Sequence, residues 1–330
     1  MVHIISLKSG EKSTYLSMIK YIIRRILTMI PVLLGVTVII SALVYLAPGD
    51  PARIALGRNA NPEAYQQLRQ QMGLDRPPHL RYFDWLLDVL SGNLGQSITT
   101  GRPVTQLIIE RLPATLELAV GSLILMLAIA IPLGIVSAIW QNSWVDKTSM
   151  VFAIFWLSMA SFWLALMLIL IFAVELDWFP ISGRSGAVLS LTGFTYVVLP
   201  AVANGTRRAG LLTRMTRSSM VETLSEDYIR TARGKGIGRE LIIYVHALKN
   251  AMIPIVTLIG LQIPTLFSSS VIIETVFAWP GMGTLLLQAV TQRNYPVIQG
   301  IVLVYAVLVI VANLAVDIAY AYLDPRIEYD

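Results

Sequence analysis

The sequence predicts an all-α polytopic membrane protein with about six membrane-spanning helices and an external region after the first. Three features point there. Of 330 residues, 55% are hydrophobic and 14% charged, with mean hydropathy +0.68; soluble domains carry roughly 25% charged residues. Apolar runs of about 20 residues recur, each long enough to cross a ~30 Å hydrocarbon core as a helix. Basic residues crowd positions 207–249, whereas 177–195 and 279–296 hold only Arg184 and Arg293. That asymmetry puts 207–249 and both termini on the cytoplasmic side. The net charge of +5 then belongs to cytoplasmic loops and gives no support to nucleic-acid binding. Cysteine is absent, which removes disulfides, thiolate metal sites and a cysteine nucleophile. His3, His79 and His246 are far apart, so no metal site is expected.

Residues 1–25 form a cytoplasmic N-terminal segment, and Met18 is a candidate native start. Residues 26–46 are the first span. Lys20, Arg24 and Arg25 before it hold the N-terminus inside. The run is too long for a signal-peptide core, and no A-x-A site follows. Residues 47–113 are read as external, starting at Pro48-Gly49-Asp50-Pro51. Short helices are expected at 64–72 and 82–90, with a turn at 92–97.

A core over 114–323 follows, with spans at 114–140, 150–174, 196–215, 252–277 and 297–322. A tight turn joins the first two of these. Trp178 and Phe179 stand where interfacial aromatics belong. The span at 196–215 is unusual, since it carries Arg207, Arg208 and Arg214; its second half is read as emerging into the cytoplasm. Residues 277–300 are expected to hold a turn with a short or re-entrant helix. Residues 324–330 form a cytoplasmic tail.

The most informative stretch is 222–254, a polar, basic segment between apolar ones. Ser225-Glu226-Asp227-Tyr228 reads as a helix start with acids in the first turn. Arg230, Thr231, Ala232 and Arg233 continue it. Gly234, Gly236 and Gly238 turn the chain. Leu241, Ile242, Val245 and Leu248 then recur at helical spacing up to Pro254. A short exposed helix, a glycine turn and a helix entering the membrane result. Such a helix is either a handle for a cytoplasmic partner or a basic loop held by anionic lipid.

The motifs narrow this choice. D-Y-I-R-T-A-R-G-K-G (227–236) followed by H-A-L-K-N-A-M-I-P (246–254) resembles the coupling loop of ABC importer permeases, specifically the dipeptide, oligopeptide and nickel branch. Relative to the generic loop, Arg230 replaces a Glu, His246 an Ile and Lys249 a Pro. P-G-D-P, G-N-L-G-Q-S (92–97), W-P-G-M-G (279–283), R-N-Y-P-V-I-Q (293–299) and D-P-R-I (324–327) resemble the same branch, so the resemblance covers nearly the whole chain from Met18.

The resemblance implies a type I ABC importer permease fold and one half of a heterodimeric pore in the bacterial inner membrane. The implied partners are a second homologous permease, two ATP-binding subunits and a periplasmic or lipid-anchored substrate-binding protein. Glu226, Asp227, Tyr228, Arg230, Thr231, Ala232, Arg233 and Gly236 would couple to the ATPase. The implied cargo is a di- or oligopeptide; nickel chelates, glutathione and other small solutes share the scaffold. ATP and Mg would bind the partner subunits only, since the chain has no G-x-x-x-x-G-K-[ST] motif. H-E-x-x-H and G-x-S-x-G are also missing, so no enzymatic activity is expected. An ion-coupled secondary transporter would need inverted repeats and paired broken helices, which the sequence does not display.

Intramembrane carboxylates are the other candidates: Glu117, Glu274 and Asp317. Glu274 and Asp317 could meet a peptide amino group or a cation along the substrate pathway. The alternative is hydrogen-bonded helix–helix contact.

Overall fold

A computed structural model describes residues 23–25, 27–42, 52, 61–71, 75–186 and 190–323. The candidate start at Met18, the P-G-D-P turn and the tail after Leu323 lie outside the described residues, as do 43–46 of the first span. The described residues are almost entirely helical. They form α1 (Ile23–Ala42), α2 (Pro62–Gln71), α3 (Pro78–Leu90), α4 (Val104–Ile139), α5 (Trp144–Ser158) and α6 (Ser161–Leu168). There follow α7 (Leu191–Ser225), α8 (Asp227–Gly234), α9 (Arg239–Val276), α10 (Met282–Thr291) and α11 (Tyr295–Leu323). Among these residues, four helices are long and apolar enough to cross a membrane, or five if one bent pair is a single span. The arginines of α7 keep it from meeting the same standard.

The bundle is built around α7, which packs on α4, α5, α6 and α9. Its approach to α4 is close enough to need glycine: a Cβ at Gly205 would lie 2.7 Å from the Ser122 carbonyl oxygen. Outward faces of the other helices are apolar, with Ile109, Val120 and Ile124 on α4 and Phe152 and Phe155 on α5 exposed. In a membrane those faces meet acyl chains.

Three expectations change. Residues 104–113 are not separate from the span that follows, because α4 begins at Val104 and runs through Pro113. Proline removes one helical hydrogen bond. Packing holds the helix across it, as Val104 and Ile108 are buried against Met282, Val297 and Ile301. The single span expected at 150–174 is two helices bent by 104°. Met159 and Ala160 at the break are extended, and neither a glycine nor a proline marks the place in the sequence. Finally, Ser225 does not cap α8: it closes α7, and its hydroxyl donates to Glu222 O.

The two ends of the bundle differ. At one end, the 91–103 loop, the 176–186 loop and α10 are tied together. Asn294 accepts from Ile98 N (3.2 Å) and donates to Ser97 Oγ (2.7 Å). Trp279 Nε1 donates to Ala114 O at 2.8 Å, and Gly183 N to Phe277 O at 2.8 Å. The opposite end carries α8, the 140–143 turn, the start of α1 and the close of α11. There Asp146 joins three helices. It accepts from Ser137 Oγ, from Asn142 N (2.9 Å) and twice from Arg217 (2.6 and 2.7 Å).

Candidate functional site

The end of the bundle that carries α8 presents the candidate partner-binding surface. The helix is eight residues long, too short to be stable alone in water. Its inward face holds it. Ile229 has no exposed surface and Ala232 little, and both lie in one cluster with Ile242, Ile243 and Ala247 of α9. Full burial of an isoleucine contributes about 1.5–3 kcal/mol. Tyr228 adds a latch: its hydroxyl accepts from Asn250 Nδ2 (2.8 Å) and donates to His246 O (3.4 Å).

The turn after α8 is a Schellman cap. Ile237 N donates to Ala232 O (3.2 Å) and Gly236 N to Arg233 O (3.0 Å). Gly236 has φ of +74°, a left-handed conformation that glycine adopts without cost. The glycine turn of the sequence is therefore a backbone requirement at Gly236. Neither Gly234 nor Gly238 has a positive φ.

The outward face carries the other candidate residues. Glu226, Asp227, Arg230, Thr231 and Arg233 are exposed. Asp227 and Arg230 sit 3.5 Å apart across one turn, with side chains 95% and 79% exposed, so the pair contributes little to stability. Of the eight coupling candidates, Ala232 alone is buried. Behind α8 lies a cavity of about 480 Å³, lined by Ile139, Leu224, Arg233, Ile237, Arg239, Ile242 and Ile243.

The intramembrane acids lie elsewhere. Glu274 is fully buried at the far end of α9; its carboxylate accepts from Thr115 Oγ1 (2.8 Å) and Thr284 N (3.1 Å). It thereby joins α9 to α4 and caps the N-terminus of α10. Asp317 accepts from Arg25 Nε, linking α11 to α1. Glu117 forms a two-pronged pair with Arg184 (2.7 and 2.7 Å). That hydrogen-bonded carboxylate holds the Arg184 guanidinium above its ordinary pKa. The sequence reading did not pick out Asp146 and Arg217. Opposite charges on neighbouring elements at the basic end of the chain were the available signal.

The architecture is that of a polytopic α-helical membrane protein with an exposed basic helix at one end. The chain belongs to the family of binding-protein-dependent transport system inner membrane components: that family's model matches residues 130–329, and the model of its N-terminal region matches 18–119. It is an integral inner-membrane transport component.

Among its relatives, the dipeptide transport system permease protein DppB of Alkalihalophilus pseudofirmus is 42% identical over 94% of this chain and 100% of its own. The DppB of Escherichia coli K12 is 40% identical over 94% and 99%. The glutathione transport system permease protein GsiC of Salmonella choleraesuis is 40% identical over 94% and 100%. Among solved structures, an inward-facing MetNI methionine ABC transporter chain superposes with a TM-score of 0.56 at 17% identity, covering 66% of this chain and 97% of that one. At that identity the likeness concerns the fold.

Proposed function

We propose that this chain is one permease subunit of an ATP-driven, binding-protein-dependent importer of di- or oligopeptides, and that α8 is its coupling helix. The observation that carries the proposal is the two-sided build of α8: a charged outward face with no covering element among the described residues, and an inward face locked to α9. A partner that moves α8 moves α9 through Ile229 and Ala232, and α7 through the one-residue link at Glu226. Two ATP-binding subunits, holding ATP and Mg, would close on hydrolysable nucleotide and drive that movement. The bundle and that of a second homologous permease would then alternate between inward- and outward-open arrangements. A periplasmic or lipid-anchored binding protein would deliver cargo at the opposite end, near Asn294 and the 91–103 loop.

This orientation, with both termini cytoplasmic, is supported by the basic residues clustered at the α8 end. Glu226, Asp227, Arg230 and Arg233 make the partner contact; Tyr228, Thr231, Ala232 and Gly236 hold the helix in shape and place. The peptide reading is supported by the DppB relatives. The GsiC relatives favour glutathione as a second cargo, itself a tripeptide. Glu274 and Asp317 act as structural carboxylates, as their hydrogen-bond partners suggest.

Co-expression of the chain with candidate ATPase, permease and binding-protein subunits, followed by purification in detergent, tests the proposal. An ATPase should co-purify and be lost when residues 225–238 are deleted from a chain that still inserts. Replacing Tyr228, Arg230 and Arg233 together by alanine should lower both transport and binding-protein-stimulated ATP hydrolysis. Normal transport by that variant would exclude α8 as the coupling element.

A further inference from the structure

The centre of α7 holds three arginines that the coupling role does not use. Arg208 is the middle residue of this 35-residue helix. Its guanidinium reaches α9 and is held by neutral acceptors only: Thr265 Oγ1 (3.0 Å), Thr265 O (2.5 Å), Ser269 Oγ (2.8 Å), and Asn204 O and Oδ1 on its own helix (2.6 and 3.4 Å). Those contacts use its donors and leave its charge uncompensated. Arg207 and Arg214 are exposed and form no hydrogen bond or ion pair among the described residues. They lie seven positions apart, so they share a face about 10 Å apart along the helix.

The adjoining face of α9 is partly polar, with Thr257, Thr265, Ser268 and Thr275 exposed along it beside Leu261 and Ile272. A lipid-facing arginine at mid-membrane costs roughly 2.5–3.5 kcal/mol, whereas the exposed side chains midway along α4 and α5, such as Val120, Ile124, Phe152 and Phe155, are apolar. This stripe therefore faces water.

We propose that Arg207 and Arg214, with Arg208 as a fixed charge beside them, form a transit site in the aqueous pathway that takes the carboxylate of the passing substrate. The inference rests on the peptide-importer reading. It deepens that reading by making a free carboxylate the feature the pore recognises. A guanidinium on the wall of a protein-lined aqueous path attracts a carboxylate more strongly than it would in bulk, because the effective dielectric near protein is lower. Neutral fixation of Arg208 keeps the charge in place without an internal anion to compete. An acid on the second permease is the competing partner for the same arginines, and the test separates the two.

The assembled complex is reconstituted in proteoliposomes with its binding protein, and uptake of radiolabelled dialanine, which has a free carboxylate, is measured beside ATP hydrolysis. Arg207→Gln combined with Arg214→Gln should cut uptake at least about tenfold, since one charge-assisted hydrogen bond is worth that much. ATP hydrolysis stimulated by loaded binding protein should stay within about twofold. Because the chain has no cysteine, Arg207→Cys offers a second readout against an unsubstituted control. A cationic aminoethyl methanethiosulfonate should restore uptake, and the anionic sulfonatoethyl reagent should not.

Unchanged uptake in the glutamine pair, or equal rescue by both reagents, would overturn the site while leaving the importer reading intact. Loss of the second permease from the purified variant would overturn it by making the arginines an interface ion pair. If the unsubstituted complex hydrolyses ATP with its binding protein yet takes up no dialanine, the peptide reading fails, and the site falls with it.

Discussion

Replacing Ile229 by alanine tests how force enters the bundle. Ile229 is fully buried between α8 and the start of α9. Removing its outer carbons leaves a void at the helix's main anchor, and large-to-small changes of this kind cost about 2–5 kcal/mol. Here the loss falls on docking of a two-turn helix and leaves the apolar spans untouched. Every 1.4 kcal/mol is roughly a factor of ten in the docked-to-undocked ratio, so α8 should open at least about ten times more often. Hydrogen exchange is the assay: amides of 228–234 should exchange at least about tenfold faster, with those of α4 and α9 unchanged. In the assembled complex, ATP hydrolysis should persist while transport falls, because a loosely held helix yields without moving α9. Unchanged exchange at 228–234 together with full transport would refute the idea that Ile229 carries the connection.

Other substitutions probe separate parts of the account. Gly236→Ala forces a side chain into a left-handed position (φ +74°), so the Schellman turn should weaken by about 1–2 kcal/mol, read as reduced coupling with normal insertion. Arg217→Met leaves the buried Asp146 carboxylate with only Ser137 and Asn142 and should lower thermal stability in detergent by about 1–3 kcal/mol; an unchanged melting temperature would show that the pair is dispensable. Asn294→Ala removes the link between α11 and the 91–103 loop. It should reduce stimulation by the binding protein while leaving basal ATP hydrolysis intact, and equal losses of both would contradict the assignment of that end. Glu274→Ala should lower yield and stability without changing substrate preference; a changed preference would restore Glu274 to the pathway.

Hydrophobic runs made most of the spans legible, because a lipid-facing helix must be apolar on its outside wherever it lies. Helix α8 was equally legible: a charged stretch between apolar ones has to leave the membrane, and Gly236 marks its end for a steric reason. Long-range packing hid the rest. Pro113 reads as a boundary by local rules, yet burial of Val104 and Ile108 carries α4 past it. The break at Met159 and Ala160 has no local signature at all. The sequence around Arg208 did not show that acceptors on α9, 57 to 61 positions away, hold its guanidinium against the neighbouring helix. Partners at such separations also decided that Glu274 is capped by Thr115 and α10 and that Asp317 meets Arg25.

The central claim is that the outward face of α8 touches an ATP-binding subunit. Its most direct test is site-specific cross-linking in the assembled complex. A single cysteine at Arg230 can carry a short photo-reactive group, since the chain supplies no other thiol, and Thr99 at the opposite end serves as the control. The account predicts an adduct from position 230 to an ATPase subunit and none from position 99. An adduct from position 230 to lipid or binding protein alone, in a complex that transports, would contradict it.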